Sequence, residues 1–447
     1  MKYKKQKLLL FVSMLAVLLP ATAQVKSFSL AEAQEYAIRN NYEARNAIID
    51  VALAAKKVKE NLAIGLPQAE GGISYNNFLN LATQLIPAEF FGGEPGTYME
   101  VQFGTKHNAT AQFQLSQLIF SGSYIVGLQA AKEYVKLSKL QLEQVEQDVK
   151  QAIASSYYLV LISERNRDLM GETISTMDKL LSDTKAMYQQ GFMQDTDVDK
   201  ISLLLSDLKT NMLNADNQVN NALNLLKFNL GMSVNDEIRL TDNLDILLLS
   251  INPQNSLEDT FRLEDHVTFR MMANQETISE YQIKMARMAY LPTVSAFLSA
   301  QGNAQRNEFN FFDFDEKWFP TTLVGVQFAI PLFSSGNRLY KLQQANLELE
   351  KTRNSRLQVN ESLVMGAVTA RNNLKIAVET YNNKKNSYDL ASRIYDKEQI
   401  RYKSGMASTT DLNQSYNQLL ESQGTFLGAT LDMLNKQLEL DKAYNKL

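Results

Sequence analysis

Hydrophobic and polar positions follow two different periods along this chain. In long stretches the apolar residues recur every three, four or seven positions, as on an amphipathic α-helix with a narrow apolar seam. One such run is Leu128, Ala131, Val135, Leu142, Val145 and Val149, and another is Leu342, Ala345, Leu349 and Thr352. Elsewhere apolar and polar residues alternate strictly, which is typical of a strand with two unlike faces. The pattern predicts a mainly helical protein with a smaller β component.

Proline positions indicate where the long helices run. Residues 96–252 and 332–447 contain no proline, and helix interiors exclude this residue. Within these stretches, about 68 residues lie between Gly122 and Gly191, and as many between Gly336 and Gly405. Each continuous helix should therefore be roughly 100 Å long. Helices of this length need coiled-coil partners to bury their apolar seams.

Shorter helices are predicted to return after each long one, to about residues 230 and 447. Two more are expected at 29–64 and 257–290, each ending before a Leu-Pro pair. Ser29 and Glu32 form a capping-box pattern, which places the start of the first of these helices.

The chain contains an internal duplication. Residues 187–198 read MYQQGFMQDTDV and residues 401–412 read RYKSGMASTTDL, so that Tyr, Gly, Thr and Asp recur in register. A repeat of this length indicates two copies of half the protein rather than a solenoid. We therefore expect a first repeat over 24–230, a linker over 231–255, and a second repeat over 256–447. Each repeat should contain one β-hairpin, at about 68–119 and 293–331.

The predicted hairpins contain the alternating segments. The apolar positions are Ile73 and Tyr75; Ala109, Ala111, Phe113 and Leu115; Val294, Ala296 and Leu298; and Val324, Val326, Phe328 and Ile330. This alternation fits strands of a membrane barrel with lipid on one face and water on the other. An ordinary half-buried sheet gives the same pattern, so alternation alone leaves both interpretations open.

Aromatic residues in both hairpins favour the membrane interpretation. They are Phe78, Phe90, Phe91, Tyr98 and Phe103 in the first, and Phe309, Phe311, Phe312, Phe314, Trp318 and Phe319 in the second. Belts of aromatic side chains mark the interfaces of a bilayer. A soluble aromatic cluster is the alternative.

The N-terminus indicates export. Four lysines, at positions 2, 4, 5 and 7, precede an apolar run over 8–19, and an Ala-x-Ala pattern ends at Ala23. We interpret residues 1–23 as a signal peptide and Gln24 as the mature start. The run is shorter than the ~20 residues of a membrane anchor, which is the alternative.

Composition excludes several classes of protein. The 447 residues carry a net charge of −4, and loss of the four leader lysines would leave −8, which argues against a nucleic-acid partner. The absence of cysteine excludes disulfides, thiolate metal sites and a lipid-modified N-terminal cysteine. His107 and His266 lie far apart, and no phosphate-binding glycine motif occurs. We therefore expect no enzyme activity, no metal and no cofactor.

Four strands per chain cannot close a membrane barrel, because the smallest have about eight. Open sheet edges are not tolerated in lipid, so the chain should oligomerise. Spacing alone allows a dimer with eight strands or a trimer with twelve.

Taken together, these features resemble the TolC-like outer-membrane efflux factors over essentially the whole mature chain. The resemblance rests on the duplication, on the Leu-Pro pair before a strand, on the segment PLFSSG at 331–336 after one, and on the turn at 401–412. It implies a homotrimer in the outer membrane of a Gram-negative bacterium. A twelve-strand transmembrane β-barrel in outer-membrane lipid would continue into a long periplasmic barrel of antiparallel α-helical hairpins.

The family resemblance also implies a passive conduit in a tripartite efflux or type I secretion system. A periplasmic adaptor (membrane fusion) protein and an inner-membrane transporter would dock at the helical turns. Docking residues carried over from the family are Gly191, Phe192, Gly405, Met406 and Ser408. A purely local alternative exists for the glycines, because glycine commonly ends a helix in a left-handed conformation.

A constriction of the periplasmic mouth carries over to Tyr188, Asp197, Tyr402 and Asp411. Helix capping explains the acids nearly as well, since Ser408 and Asp411 match a capping box. If all copies face the lumen, the carboxylates would make a negative mouth that favours cations. Ala407 and Gln414 stand where some members have a basic residue and a second acid. The ionic latch of those members is therefore not expected here.

A soluble periplasmic coiled-coil structural or adaptor protein is the alternative function. It accounts for the helices but gives no reason for the duplicated alternating strands. Neither the transported substrate nor the particular adaptor and pump can be predicted from these residues.

Overall fold

The structure is a computed structural model that describes residues 26–250 and 253–447. The predicted signal peptide lies outside the described residues. The helices are α1 (Leu30–Asn40), α2 (Tyr42–Ala63), α3 (Gly122–Gln189), α4 (Asp195–Leu230), α5 (Leu244–Ser250), α6 (Pro253–Glu258), α7 (Val267–Met288), α8 (Asn337–Lys403) and α9 (Thr409–Ala443). The strands are β1 (Lys26–Phe28), β2 (Gln68–Asn77), β3 (Thr83–Pro87), β4 (Tyr98–Gln102), β5 (His107–Phe120), β6 (Ile238–Leu240), β7 (Thr293–Arg306) and β8 (Phe319–Ala329).

The described residues form two compact units. One consists of 26–50, 139–272 and 356–447, and the other of Val51–Ser138 and Ala273–Ser355. Each unit draws segments from both sequence repeats. We call the first the helical unit and the second the sheet unit.

The predicted long helices are confirmed. α3 and α8 have 68 and 67 residues, and the returning helices α4 and α9 have 36 and 35. The near equality of the two pairs confirms the duplication at the level of structure. Leu349 and Thr352 of the predicted apolar seam are buried. Among the described residues, no helix combines the length and the apolar character needed to span a membrane.

Two helix boundaries differ from the prediction. The helix expected over 29–64 breaks at Asn41, whose amide N–H bonds back to Ala37 and whose Oδ1 accepts the N–H of Glu43 at 2.8 Å. One asparagine thus ends α1 and caps α2, since its side chain competes with the helical backbone. The second helix begins at Val267 rather than near residue 257, and Nδ1 of His266 accepts the N–H of Thr268 at 3.1 Å.

The helical unit contains a small parallel pair of strands tied to a long helix. β1 pairs with β6, so the predicted linker contributes regular structure. The fully buried Tyr157 of α3 places its hydroxyl 3.0 Å from the Phe28 carbonyl oxygen and 3.0 Å from Oδ2 of Asp242. Desolvation by burial raises the pKa of this phenol. The strand pair is therefore fixed to α3 by buried polar contacts as well as by apolar packing.

The sheet unit contains the two predicted hairpins in one antiparallel sheet, in the order β2-β5-β7-β8. The register brings the apolar residues of all four strands to one face, because successive side chains of a strand point to opposite sides. This apolar face comprises Ala69, Gly71, Ile73 and Tyr75; Ala109, Ala111, Phe113 and Leu115; Val294, Ala296, Leu298 and Ala300; and Val324, Val326 and Phe328. The opposite face is mainly Ser, Thr, Asn and Gln.

The outer edges of this sheet, on β2 and β8, pair with no other described strand. Between β2 and β5 the chain forms a two-stranded ribbon, β3 with β4, that the alternation pattern did not reveal. Leu85, Phe90, Phe91 and Tyr98 on this ribbon are exposed. The extra length of the first hairpin is therefore an ordered projection.

Candidate functional site

The two repeated motifs form the turns between the long and the returning helices. We call residues 188–198 tip 1 and residues 402–412 tip 2. Tip 1 joins α3 to α4, and tip 2 joins α8 to α9. All nine predicted site residues lie in these two turns of the helical unit.

Both turns close in the same way. Gly191 and Gly405 have φ of 81° and 70°, in the left-handed region that glycine adopts without strain. The N–H of Phe192 bonds to the Met187 carbonyl at 2.9 Å, and that of Met406 bonds to the Arg401 carbonyl at 2.8 Å. These bonds satisfy carbonyls at the helix end. The local interpretation of the glycines therefore holds at both tips.

A side chain added at either glycine would meet open space. No heavy atom lies within 4 Å of a Cβ built on Gly191 or Gly405. By contrast, a Cβ on Gly231, which ends α4 at φ 73°, would lie 2.2 Å from the Asn40 carbonyl oxygen. The tip glycines are therefore required for backbone conformation, and the space around them is open in this chain.

The two aspartates of the motif have different partners. Oδ2 of Asp411 accepts from the hydroxyl of Ser408 at 2.8 Å and from its amide at 3.1 Å. The side-chain bond from Ser408 is the larger cause of the lowered pKa of Asp411. Ser408 is thus the N-cap of α9, and Asp411 completes its capping box. Asp197 accepts the Gln194 amide at 3.4 Å and also accepts a hydrogen bond from the hydroxyl of Thr409, which belongs to tip 2.

Further polar contacts join the two hairpins near their tips. Nζ of Lys403 lies 3.2 Å from Oδ2 of Asp183 on α3. The hydroxyls of Tyr402 and Thr184 lie 3.4 Å apart and are buried. Together with the bond from Thr409 to Asp197, these contacts hold tip 2 against α3 and the start of α4. We call these three contacts the inter-tip contacts.

An apolar cluster lies beneath the inter-tip contacts. Its buried members are Met177, Leu180, Ile201, Leu205, Leu208, Ala391, Tyr395, Tyr402, Leu412, Tyr416 and Leu419. Tyr395 and Tyr416 pack with ring centroids 5.9 Å apart, and desolvation raises the pKa of Tyr395 to about 12. Helices α3, α4, α8 and α9 all contribute side chains to this cluster. The two helical hairpins therefore pack against each other near their tips.

The predicted tyrosines occupy different environments. Tyr402 is 1% exposed inside this cluster, whereas Tyr188 is 47% exposed. Phe192 and Met406, which follow the glycines, are both largely exposed. Between the tips lies a shallow cleft lined by Gly191, Phe192, Met193, Gln194, Asp197, Tyr402, Ala407, Ser408 and Thr409. Five of the nine predicted residues thus line one cleft, whereas Tyr188, Gly405, Met406 and Asp411 are outside its lining.

Sequence reasoning missed Thr409, Thr184 and the pair Lys403–Asp183. Thr409 does not match its repeat partner, which is Asp195, so the duplication did not draw attention to it. The partners of an inter-tip contact are more than 200 residues apart along the chain. No local pattern could have paired them.

A family model described as "Outer membrane efflux protein" matches residues 33–232 and 263–446. A comparison with curated proteins finds no match.

Solved outer-membrane channels have the same fold. The structure is similar to VceC of Vibrio cholerae (TM-score 0.66, 14% identity, 93% of this chain and 95% of that one). It is also similar to CmeC of Campylobacter jejuni (TM-score 0.66, 18% identity, 93% of this chain and 85% of that one). A third similar structure is the open state of MtrE of Neisseria gonorrhoeae (TM-score 0.69, 15% identity, 93% of this chain and 88% of that one). At these sequence identities, similarity to solved structures shows only that the fold is shared. Membership of a family follows from the match to the family model.

Proposed function

Because this chain belongs to the outer membrane efflux protein family, we propose that it works as a homotrimer that docks an adaptor and a pump through its tips. It is an outer-membrane efflux channel of a Gram-negative bacterium and not an enzyme. Membership of this family contradicts the alternative of a soluble periplasmic structural or adaptor protein.

The two unpaired sheet edges support the trimer. Lipid cannot satisfy the free N–H and C=O groups of β2 and β8, so each edge needs a strand from another copy. Three copies of a four-stranded sheet give twelve strands, within the range of membrane barrels. The apolar face would meet outer-membrane lipid and the polar face would line the water-filled pore.

The exposed apolar residues at the two tips are the observation that carries the docking proposal. Phe192 and Met406 are exposed beside glycines that have open space around them. Exposed apolar side chains, one on each of two neighbouring turns, favour a protein partner. The adaptor would seat these residues, and the inner-membrane transporter would supply the energy that the passive channel lacks.

The inter-tip contacts support a role of the same region in narrowing the pore. They hold each copy's two hairpins together in the absence of a partner. Movement of tip 2 away from tip 1 would break the bond from Thr409 to Asp197. In this proposal Asp197, with Tyr402 packed beneath it, belongs to the constriction directly. Asp411 would contribute a negative charge to the same region, and Tyr188 would contribute an exposed aromatic side chain.

Copurification tests the docking proposal. The tagged protein would be purified from cells after mild cross-linking, once as wild type and once with Phe192→Ser and Met406→Ser together. Truncating a docking hot spot costs about 2 kcal/mol or more, roughly thirtyfold in affinity, so the variant should lose its adaptor and pump. Gln190→Ser, an exposed polar change in the same turn, is the control. Equal recovery of partners by wild type and double variant would contradict docking at the tips.

A further inference from the structure

The loop between β7 and β8 reaches across the sheet to the edge formed by β2. The loop comprises residues 307–318, and we call it the aromatic loop. The rings of Phe309 and Phe311 pack edge-on against Tyr75 of β2, with centroids 5.5 and 5.7 Å away. β5 separates β2 from β7 in the sheet. The aromatic loop therefore crosses the apolar face from its own hairpin to the free edge at β2.

A buried arginine fixes the aromatic loop in this position. Arg306, the last residue of β7, donates hydrogen bonds to Oδ1 of Asn310 at 3.2 Å and to the Glu316 carbonyl at 3.3 Å, and also to the Asn310 carbonyl. Its guanidinium lies 5.1 Å from the centre of the Phe311 ring. A cation buried against an apolar face needs such partners. The loop is thus an ordered part of the sheet unit.

The aromatic loop covers one end of the apolar face. Beneath it, Ala109 of β5 and Ala304 of β7 pair with each other and are buried. Farther along the same face, Ile73 and Val324 are exposed. The cover therefore reaches β2 but leaves the rest of the face free for lipid.

Two phenylalanines of this loop are largely exposed. Phe312 is 83% exposed and Phe314 is fully exposed, although Phe312 lies only 6.2 Å from Phe309. They are carried by the loop that packs on Tyr75, at the edge where β2 lacks a strand neighbour. Two exposed apolar side chains on a loop that reaches an open sheet edge are available to a surface beyond that edge.

We propose that Phe312 and Phe314 pack across the seam onto β8 of the neighbouring copy of this chain. This inference rests on the trimer of the proposed function. In a closed sheet the strand beyond β2 is β8 of the next copy, about 4.8 Å away. Register parity brings the apolar faces of the two strands to the same side, so the side chains met first would be Pro320, Thr322 and Val324 of that copy. We call this packing of Phe312 and Phe314 on the neighbouring β8 the aromatic clasp. It would join the two edges in addition to their backbone hydrogen bonds.

Photo-cross-linking tests the clasp in the full-length protein in outer membranes. Benzoylphenylalanine would replace Phe312 or Phe314, and products would be separated on a denaturing gel and mapped by mass spectrometry. The clasp predicts covalent dimers and trimers joined at residues 319–324. Leu332 is the control position, because it is 88% exposed but follows the other end of β8. Adducts confined to one chain or to lipid would overturn the proposal.

A second measurement separates failure of the clasp from failure of the trimer. Light scattering of the purified protein in detergent gives the number of copies. A trimer without adducts at 319–324 would refute the clasp alone, whereas a monomer would refute the proposed assembly as well. Phe312→Ser with Phe314→Ser should lower the temperature at which the trimer dissociates in SDS, and Leu332→Ser should leave it unchanged. An unchanged temperature for the double variant would also count against the clasp.

Discussion

Tip 1 and tip 2 share a sequence motif and a backbone turn but differ in what surrounds them. In tip 2, Tyr402 is buried. Arg401, which directly precedes this turn, donates to the Met406 carbonyl at 3.3 Å. In tip 1, Tyr188 is exposed and Met187 stands at the position of Arg401. Tip 2 is thus anchored in the apolar cluster, and tip 1 is joined to it through Asp197.

The difference shows which part of a repeated motif is local. Glycine and the first-turn acid recur because any helical turn of this shape uses them. The tyrosine recurs in sequence, yet its burial depends on the neighbouring hairpin. A duplicated motif therefore predicts that the two turns share a backbone conformation. It does not predict that their side chains have the same surroundings or the same role.

The largest expected effect is at the glycines. Gly405→Trp places a bulky side chain in the open space where the proposed adaptor would dock, at a φ that other residues rarely adopt. We expect loss of efflux, measured as loss of the host's resistance to toxic compounds, with the trimer and membrane insertion intact. Gly405→Ala adds the strain without the bulk and serves as control. Normal resistance with Trp at this position would rule out docking there.

Truncation of Tyr402 should lower the free energy of unfolding much more than truncation of Tyr188. Tyr402→Ala removes a buried aromatic side chain, which typically costs about 3–5 kcal/mol. Tyr188→Ala removes an exposed one, for which surface changes within about 0.5 kcal/mol are usual. Thermal unfolding in detergent followed by circular dichroism measures both. Similar losses would show that the tips are equivalent in solution.

The smallest expected effect is at Asp411. Its folded-state pKa is lowered, so its contribution to stability is present above the ordinary pKa and is lost as pH falls through the lowered value. Asp411→Asn should therefore unfold at a slightly lower temperature than wild type at neutral pH, and the difference should disappear in acid. A difference that persisted at low pH would show that the capping charge is not its cause.

Much of the fold followed from local patterns. Long proline-free stretches with a heptad-like seam gave α3 and α8, and strict alternation gave the faces of the four-stranded sheet. The break at Asn41 was missed because the apolar spacing continues through it while the asparagine side chain caps both helices. The start of α7 was missed because residues 259–262 leave the helix and Leu263–Asp265 form a 3₁₀ turn before it. His266 then accepts the N–H of Thr268.

The candidate site could be predicted only in part. The tip residues followed from the repeat and from family resemblance. Thr409, the pair Lys403–Asp183 and the covering of Arg306 by the aromatic loop depend on tertiary packing. A threonine beside a cap or an arginine at a strand end has many possible partners, and the sequence does not rank them.

In the proposed function, the inter-tip contacts hold the periplasmic end of the channel narrow. Thr409→Val tests it most directly, because it removes the hydroxyl that bonds to Asp197 without changing charge or, to a good approximation, volume. Hydrogen bonds to charged groups contribute about 1.5–3 kcal/mol. Single-channel conductance in a planar bilayer should rise in this variant and stay at the wild-type value in the exposed neighbour Thr410→Val. Equal conductance of Thr409→Val and wild type would contradict the account.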